Sequence, residues 1–154
     1  MRIAVIAALL GSACGFEEAR LARLKAAEAE YQNLKSAPER ERWLVTRGEH
    51  VYLNGGDGGI GCAGCHGPEG KGSPGVFPPL VGQGEHMGDC ANHARIVIQG
   101  LSKPLTINGH TYTMPMPAQP GLSDIDIAAV ISYERTQWGN TYGWCAPKDV
   151  AAVR

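Results

Sequence analysis

Five residues near the middle of the chain, Cys62-Ala63-Gly64-Cys65-His66, constrain its fold more than any other stretch. Two thiols stand two residues apart on a short arc of backbone, and an imidazole follows at once. A structural zinc site would need four ligands, and neither a second C-x-x-C nor an H-x₃₋₅-H pair occurs elsewhere. A thioredoxin-like dithiol would follow a strand inside a βαβ unit, and no alternating apolar run marks such a strand. Covalent attachment of a porphyrin fits the spacing: both sulfurs can reach the vinyl groups on one edge, and the adjoining His can turn beneath the ring toward iron. The single motif predicts one covalent haem c, with Cys62 and Cys65 as attachment points and His66 as the proximal iron ligand.

A prosthetic group also suits the composition. The 154 residues include 21 Gly and 10 Pro but only 6% aromatics. A chain this short in large side chains and rich in loops commonly needs a covalent or cofactor staple to hold its core. The formal net charge of -1 argues against nucleic acid or an anionic membrane as an electrostatic partner.

The N-terminus carries Arg2, a short apolar run from Ile3 to Leu10, and then Gly11-Ser12-Ala13-Cys14. The run is far shorter than the roughly 20 residues that span a bilayer, so residues 1–14 read as an export signal. Leu10-Gly11-Ser12-Ala13-Cys14 resembles a bacterial lipobox, which would make Cys14 the lipidated first residue of the mature protein. Gly11 stands where Leu is usual, and cleavage after Ala13 or an uncleaved anchor are the alternatives.

Residues 15–36 read as a helical spacer, with Leu21, Leu24, Tyr31 and Leu34 forming a narrow stripe over 17–35. Ser36-Ala37-Pro38-Glu39 matches a capping box and predicts a helix over 37–53, ended by Gly55-Gly56. From Gly55 to about Gly84 no helical or strand period is sustained. A third helix is expected within 86–100. A second capping box at Ser123-Asp124-Ile125-Asp126 opens a helix that runs through Trp138 to a stop at Gly139-Asn140. No sheet is expected.

Beyond the motif, residues 41–154 resemble the class I cytochrome c family. The likeness rests on Gly48 and Tyr52 ahead of Cys62-Ala63-Gly64-Cys65-His66-Gly67, on Phe77-Pro78-Pro79-Leu80, and on Tyr112-Thr113-Met114-Pro115-Met116-Pro117. Leu122-Ser123-Asp124, Tyr133-Glu134-Arg135 and the endings Trp138-Gly139-Asn140 and Val150-Ala151-Ala152-Val153-Arg154 complete it. The resemblance implies an all-α fold, a small helical domain over 37–154 wrapped around the haem, whose first and last helices cross near Gly48 and Tyr133. The run Gly55-Gly56-Asp57-Gly58-Gly59 looks like an insertion relative to the family. The family's distal ligand is a Met in a Met-Pro loop, four residues after a Tyr and six before the Leu of Leu-Ser-Asp. Met116 meets both counts and Met114 neither, so Met116 is the expected distal ligand and Met114 the second choice. The resemblance also implies that the Pro78 carbonyl accepts a hydrogen bond from His66 and fixes its tautomer.

The remaining candidates carry weaker signals. Met87 reads as a packing residue. His50, His86, His93 and His110 lack a motif and read as bystanders, with His93 or His110 a remote alternative as axial ligand. If Cys14 is lipidated and Cys62 and Cys65 hold haem, Cys90 and Cys145 are left as an even pair in an oxidising compartment. A disulfide tying the third helix to the C-terminal tail is the expectation, with two unrelated buried thiols as the alternative.

Two filled axial positions leave iron no open site, which predicts an electron carrier or electron-transfer subunit and not an enzyme. It would shuttle single electrons in the bacterial periplasm between protein partners such as a membrane oxidoreductase, a terminal oxidase or other cytochromes. Any contact with the membrane would come through the lipid. The competing reading is a haem enzyme or gas sensor in which the Met ligand is displaced.

Overall fold

The computed structural model describes residues 3–57 and 59–154, with side chains from residue 15 onward. The chain divides into two compact units, Met1–Lys35 and Ser36–Arg154. The expectations of an export signal over 1–14 and of a lipid on Cys14 fall on side chains outside the described ones.

The first unit is one helix, α1 (Ile3–Asn33). The sequence pattern separates residues 1–14 from a helix beginning near 17, but the backbone is helical throughout. Gly11 and Gly15 are the only breaker residues on this stretch, and an isolated Gly costs a helix only about 1 kcal/mol. Among the described residues no helix is long and apolar enough to cross a membrane.

The second unit begins with α2 (Ala37–Asn54), and its start follows from the local sequence. The Ser36 N–H donates to Glu39 Oε2 at 2.9 Å, and the Glu39 N–H donates to Ser36 Oγ at 3.4 Å. Gly55 ends the helix with φ 85°, a left-handed conformation that glycine adopts without steric cost.

The core lies where α2 crosses α6 (Asp124–Thr136). Leu44, Val51 and Tyr52 on one helix and Ile125, Ile127, Val130 and Ile131 on the other are almost wholly buried. Gly48 sets the spacing: a Cβ there would lie 2.1 Å from the Ala129 carbonyl oxygen and 2.7 Å from Tyr133 Cβ.

Burial takes in every residue of α6 from Ile125 to Arg135. Its four polar members therefore need partners inside the protein. Asp126 accepts from Arg47 at 2.6 Å, Ser132 bonds to the Cys145 carbonyl and N–H, and Arg135 donates to the carbonyls of Gly88, Tyr142 and Gly143. Glu134 faces His93. The box expected at Ser123 is only half formed. Ser123 Oγ caps the Asp126 N–H, but the Asp126 carboxylate turns to the Ser123 hydroxyl and to Arg47 in place of the cap backbone.

Between these helices lie one-turn α3 (Ala63–His66) and α4 (Gly84–Met87), then α5 (Cys90–Gln99). The single helix expected over 86–100 is thus two. Asp89 takes extended backbone and caps α5 by accepting from the Asn92 N–H at 2.7 Å. The last long helix stops at Thr136, before Trp138, which has φ 55°.

The expectation of no sheet is also corrected. Strands β1 (Leu105–Ile107) and β2 (His110–Tyr112) form an antiparallel hairpin. Its turn is Asn108-Gly109, with φ 51° and 78°, the residue pair that most favours a two-residue hairpin. The strands are too short for an apolar alternation to show. A last turn, α7 (Pro147–Ala151), packs Val150 into the core.

Cys90 at the start of α5 and Cys145 before α7 are joined by a disulfide that closes a separation of 55 residues. The rest of the fold is mostly α-helical.

Two stability outcomes follow. Gly48→Ala should destabilise the protein by about 1–3 kcal/mol through overpacking, although Ala is favoured over Gly by about 1 kcal/mol within a helix. Denaturant unfolding measures the net sign, and a stabilised variant would contradict the crossing geometry. Replacing Cys90 and Cys145 together by Ser should lower stability by about 2–4 kcal/mol, read as a lower thermal midpoint than the oxidised parent.

Candidate haem site

The motif residues sit where α2 has been turned back by its glycine-rich end. Cys62 flanks one-turn α3, which carries Cys65 and ends at His66. Both thiols are half-buried and not bonded to one another. His66 is buried, and its Nδ1 lies 2.8 Å from the Pro78 carbonyl oxygen, donating to it in the tautomer that contact requires. That leaves Nε2 as the nitrogen available to a metal.

Several backbone contacts hold the His66–Pro78 loop closed. The Gly72 N–H donates to the His66 carbonyl at 2.8 Å, and Ser73 and Phe77 exchange backbone hydrogen bonds of 2.8 Å. Gly72 has φ 62°, and a Cβ there would come within 2.3 Å of the Phe77 carbonyl oxygen, so only glycine fits. The Tyr52 hydroxyl donates to the Gly67 carbonyl at 2.5 Å, which ties the loop to α2.

Opposite the motif in sequence, Met114 and Met116 both line the same cleft. The structure treats them differently. Met116 is half-buried, and its N–H and carbonyl pair with Leu101 at 2.9 and 3.1 Å. Gly100 has φ 71°, and a Cβ on it would lie 2.4 Å from the Met116 carbonyl oxygen, so a small residue lets these strands meet. Met114 is 55% exposed. Met87 is buried at the cleft wall.

The cleft encloses about 1170 Å³, its solvent-open mouth included. Phe77, Leu80, Ile96, Val97, Leu101 and Tyr112 give it a largely apolar wall, as a flat porphyrin requires. The two thiols, the His66 imidazole with its Nδ1 already engaged, and the thioethers of Met87, Met114 and Met116 all line this one space. The donor set fits a covalently attached haem.

The surroundings of Cys62 disfavour its thiolate. Burial pushes the Cys62 thiol well above its ordinary range, and repulsion from Glu134 together with a hydrogen bond to that carboxylate adds to the shift. Reactive dithiols need the reverse, a thiolate favoured at neutral pH. Burial likewise raises the Tyr52 hydroxyl, with Glu134 the next cause.

Sequence reasoning missed two polar clamps. Gln119 accepts from the Ile60 N–H at 3.0 Å and donates its own backbone N–H to the Val97 carbonyl at 3.0 Å. It thereby joins the approach to Cys62, the α5 wall and the segment after Met116. Asn140 donates to the Leu80 and Glu134 carbonyls and accepts from the Gly82 N–H at 2.9 Å. Gln119 has no local signal, and Asn140 signals only a helix stop, because the Ile60, Leu80 and Gly82 partners stand about 60 residues away. His93 is buried against Glu134 on the cleft wall, while His86 also lines the cleft and His50 and His110 lie outside it.

Comparison with known proteins agrees with this geometry. The cytochrome c family model matches residues 45–138. Cytochrome c-552 of Thermus thermophilus is 35% identical over 83 residues, which cover 51% of this chain and 63% of that protein. A second cytochrome c-552 of the same organism shows the same identity over 83 residues, covering 51% of this chain and 56% of its own length. The chain thus spans less than two thirds of either relative. The matched segment opens within α2, takes in the cleft with its thiols and imidazole, and closes at Trp138 behind α6; on that match the chain belongs to the cytochrome c family.

Proposed function

We propose that this protein is a monohaem electron carrier, in which Cys62 and Cys65 hold the haem and His66 and Met116 ligate its iron. Haem c is the family's covalent cofactor. The observation that carries the reading is the His66–Pro78 hydrogen bond, which commits one imidazole nitrogen and reserves the other. Bound haem supplies a one-electron centre whose potential an imidazole–thioether ligand pair raises.

The chain's own residues do the rest. Met116 is favoured over Met114 because its backbone is pinned to Leu101 and it is the less exposed of the two. A rigid Pro follows it and limits the loop's freedom. The apolar wall excludes water, which keeps the reorganisation that accompanies electron transfer small. Ile60, Gly64, Val76, Met114 and Ala118 are exposed, and they offer a mostly uncharged surface to redox protein partners. With a net charge of -1, docking should depend weakly on salt.

Work outside the cytoplasm is supported by the Cys90–Cys145 disulfide, a bond that persists in oxidising compartments. We further assign Cys14 as the site of a lipid anchor, on its sequence context alone.

Intact mass of protein made with haem-attachment machinery should show one haem added, and the Cys14 lipid if present. The oxidised protein should show a low-spin spectrum with a near-infrared Met–iron band. Met116→Ala should abolish that band and lower the potential, while Met114→Ala should preserve both. The reverse pattern would reassign the ligand. A high-spin parent that binds carbon monoxide when reduced would overturn the carrier reading in favour of a haem enzyme or gas sensor.

A further inference from the structure

We propose that the buried pair of His93 and Glu134 is a proton-binding site coupled to the haem, so that the protein takes up a proton as it is reduced. This rests on the haem reading above and adds a second role to the same cleft.

His93 stands on α5 and Glu134 on α6, with Nε2 2.9 Å from Oε2. Both side chains are 4% exposed, and both line the cleft. His93 Nδ1 is buried with no hydrogen-bond partner among the described residues. An apolar pair of similar size would serve packing at least as well, since a buried ion pair often adds no net stability over hydrophobic replacements. Two ionisable groups facing an apolar haem cleft, one with an unsatisfied nitrogen, are therefore a poor choice for packing alone.

The surroundings leave the pair to answer a change of charge. The Cys62 S–H is hydrogen-bonded to Glu134, but a thioether has no proton to give. With that thiol converted, the side-chain partner left to the Glu134 carboxylate among the described residues would be His93. Tyr52 from α2 and Tyr133 on α6 both feel the Glu134 charge, and burial disfavours ionisation of both. Arg135, next along α6, is committed to the carbonyls of Gly88, Tyr142 and Gly143. From α7, Lys148 is exposed and the Asp149 carboxylate accepts from the Ala146 N–H. From α4, Glu85 is exposed and His86 half-buried, and His66, His86 and Lys103 also line the cleft.

The balance is simple. A one-electron donor protein delivers one electron to ferric haem, giving ferrous haem, and one proton from bulk water goes to the His93–Glu134 pair. No covalent bond to carbon or sulfur changes. The added electron and the added proton cancel inside a low-dielectric cleft, where an uncompensated charge would be costly. The sign follows: raising pH opposes proton uptake, so the potential falls as pH rises wherever reduction is accompanied by that uptake. The limiting slope is about 59 mV for each tenfold change in proton concentration.

The test uses the full haem-bearing protein, after mass and the Met–iron band have established covalent haem and its ligation. Potentials are measured from about pH 5 to about pH 9, the range in which a histidine titrates, for the parent, Glu134→Gln, and His93→Leu combined with Glu134→Leu. The parent should show a falling segment that both variants flatten. Reduction of the parent in unbuffered solution should also remove protons, reported by a pH dye, which needs no variant to fold. A flat parent with no proton uptake overturns the inference while leaving the carrier reading standing. A slope that survives in both variants overturns it too, and points to His86 or another group at the cleft. A protein without covalent haem overturns both.

Discussion

Two helix backbones meet at Gly48, where a single added carbon would lie 2.1 Å from the carbonyl oxygen of Ala129. The side of the cleft that carries His66 is referred to that crossing. Because α2 and α6 approach so closely, Tyr52 packs against Tyr133 and Trp138 with ring centroids 5.2 to 5.5 Å apart. Tyr52 then reaches the Gly67 carbonyl just past the motif. Trp138 in turn covers Gly70, where a Cβ would fall 2.5 Å from its ring. The crossing thus fixes one wall of the cleft through a short chain of contacts, and His66 inherits its position from it.

The opposite wall is held by quite different means. Beside α5 and the short hairpin it is built from loops, whose polar groups cannot all be paired locally. Gln119 and Asn140 meet that need by bridging segments about 60 residues apart, each tying a loop to a helix. A narrow apolar cleft can be built from loops only when such bridges replace the missing helix and strand ladders. The result places an imidazole and a backbone-pinned thioether on one cavity.

These two modes of construction explain how far the sequence could be read. Cys62 to His66 carry their meaning in five adjacent residues, and Ser36 with Glu39 signals a helix start in four; both are local chemistry. Asn108-Gly109 also carried a local signal, and the hairpin was missed only because its three-residue strands are too short to show a period. The continuous run of α1 was hidden because residues 1–14 read as an export-signal pattern and the helical stripe is followed only from residue 17. The half-formed box at Ser123 reflects competition from Arg47 on another helix, and no local pattern records it. His93, Glu134, Gln119 and Asn140 lie beyond such reading for the same reason, since each is defined by a distant partner.

The disulfide between Cys90 and Cys145 has a consequence for biogenesis. Under the reading proposed above, the polypeptide would receive its haem outside the cytoplasm, and until then its cleft would stand unsupported. Linking the start of α5 to the chain beyond α6 removes conformational freedom from the unattached polypeptide. It also keeps the two helices that carry His93 and Glu134 within reach of each other. Oxidation would then act as a scaffold for maturation, keeping the nascent pocket's back wall assembled while the thiols at its front await their partner.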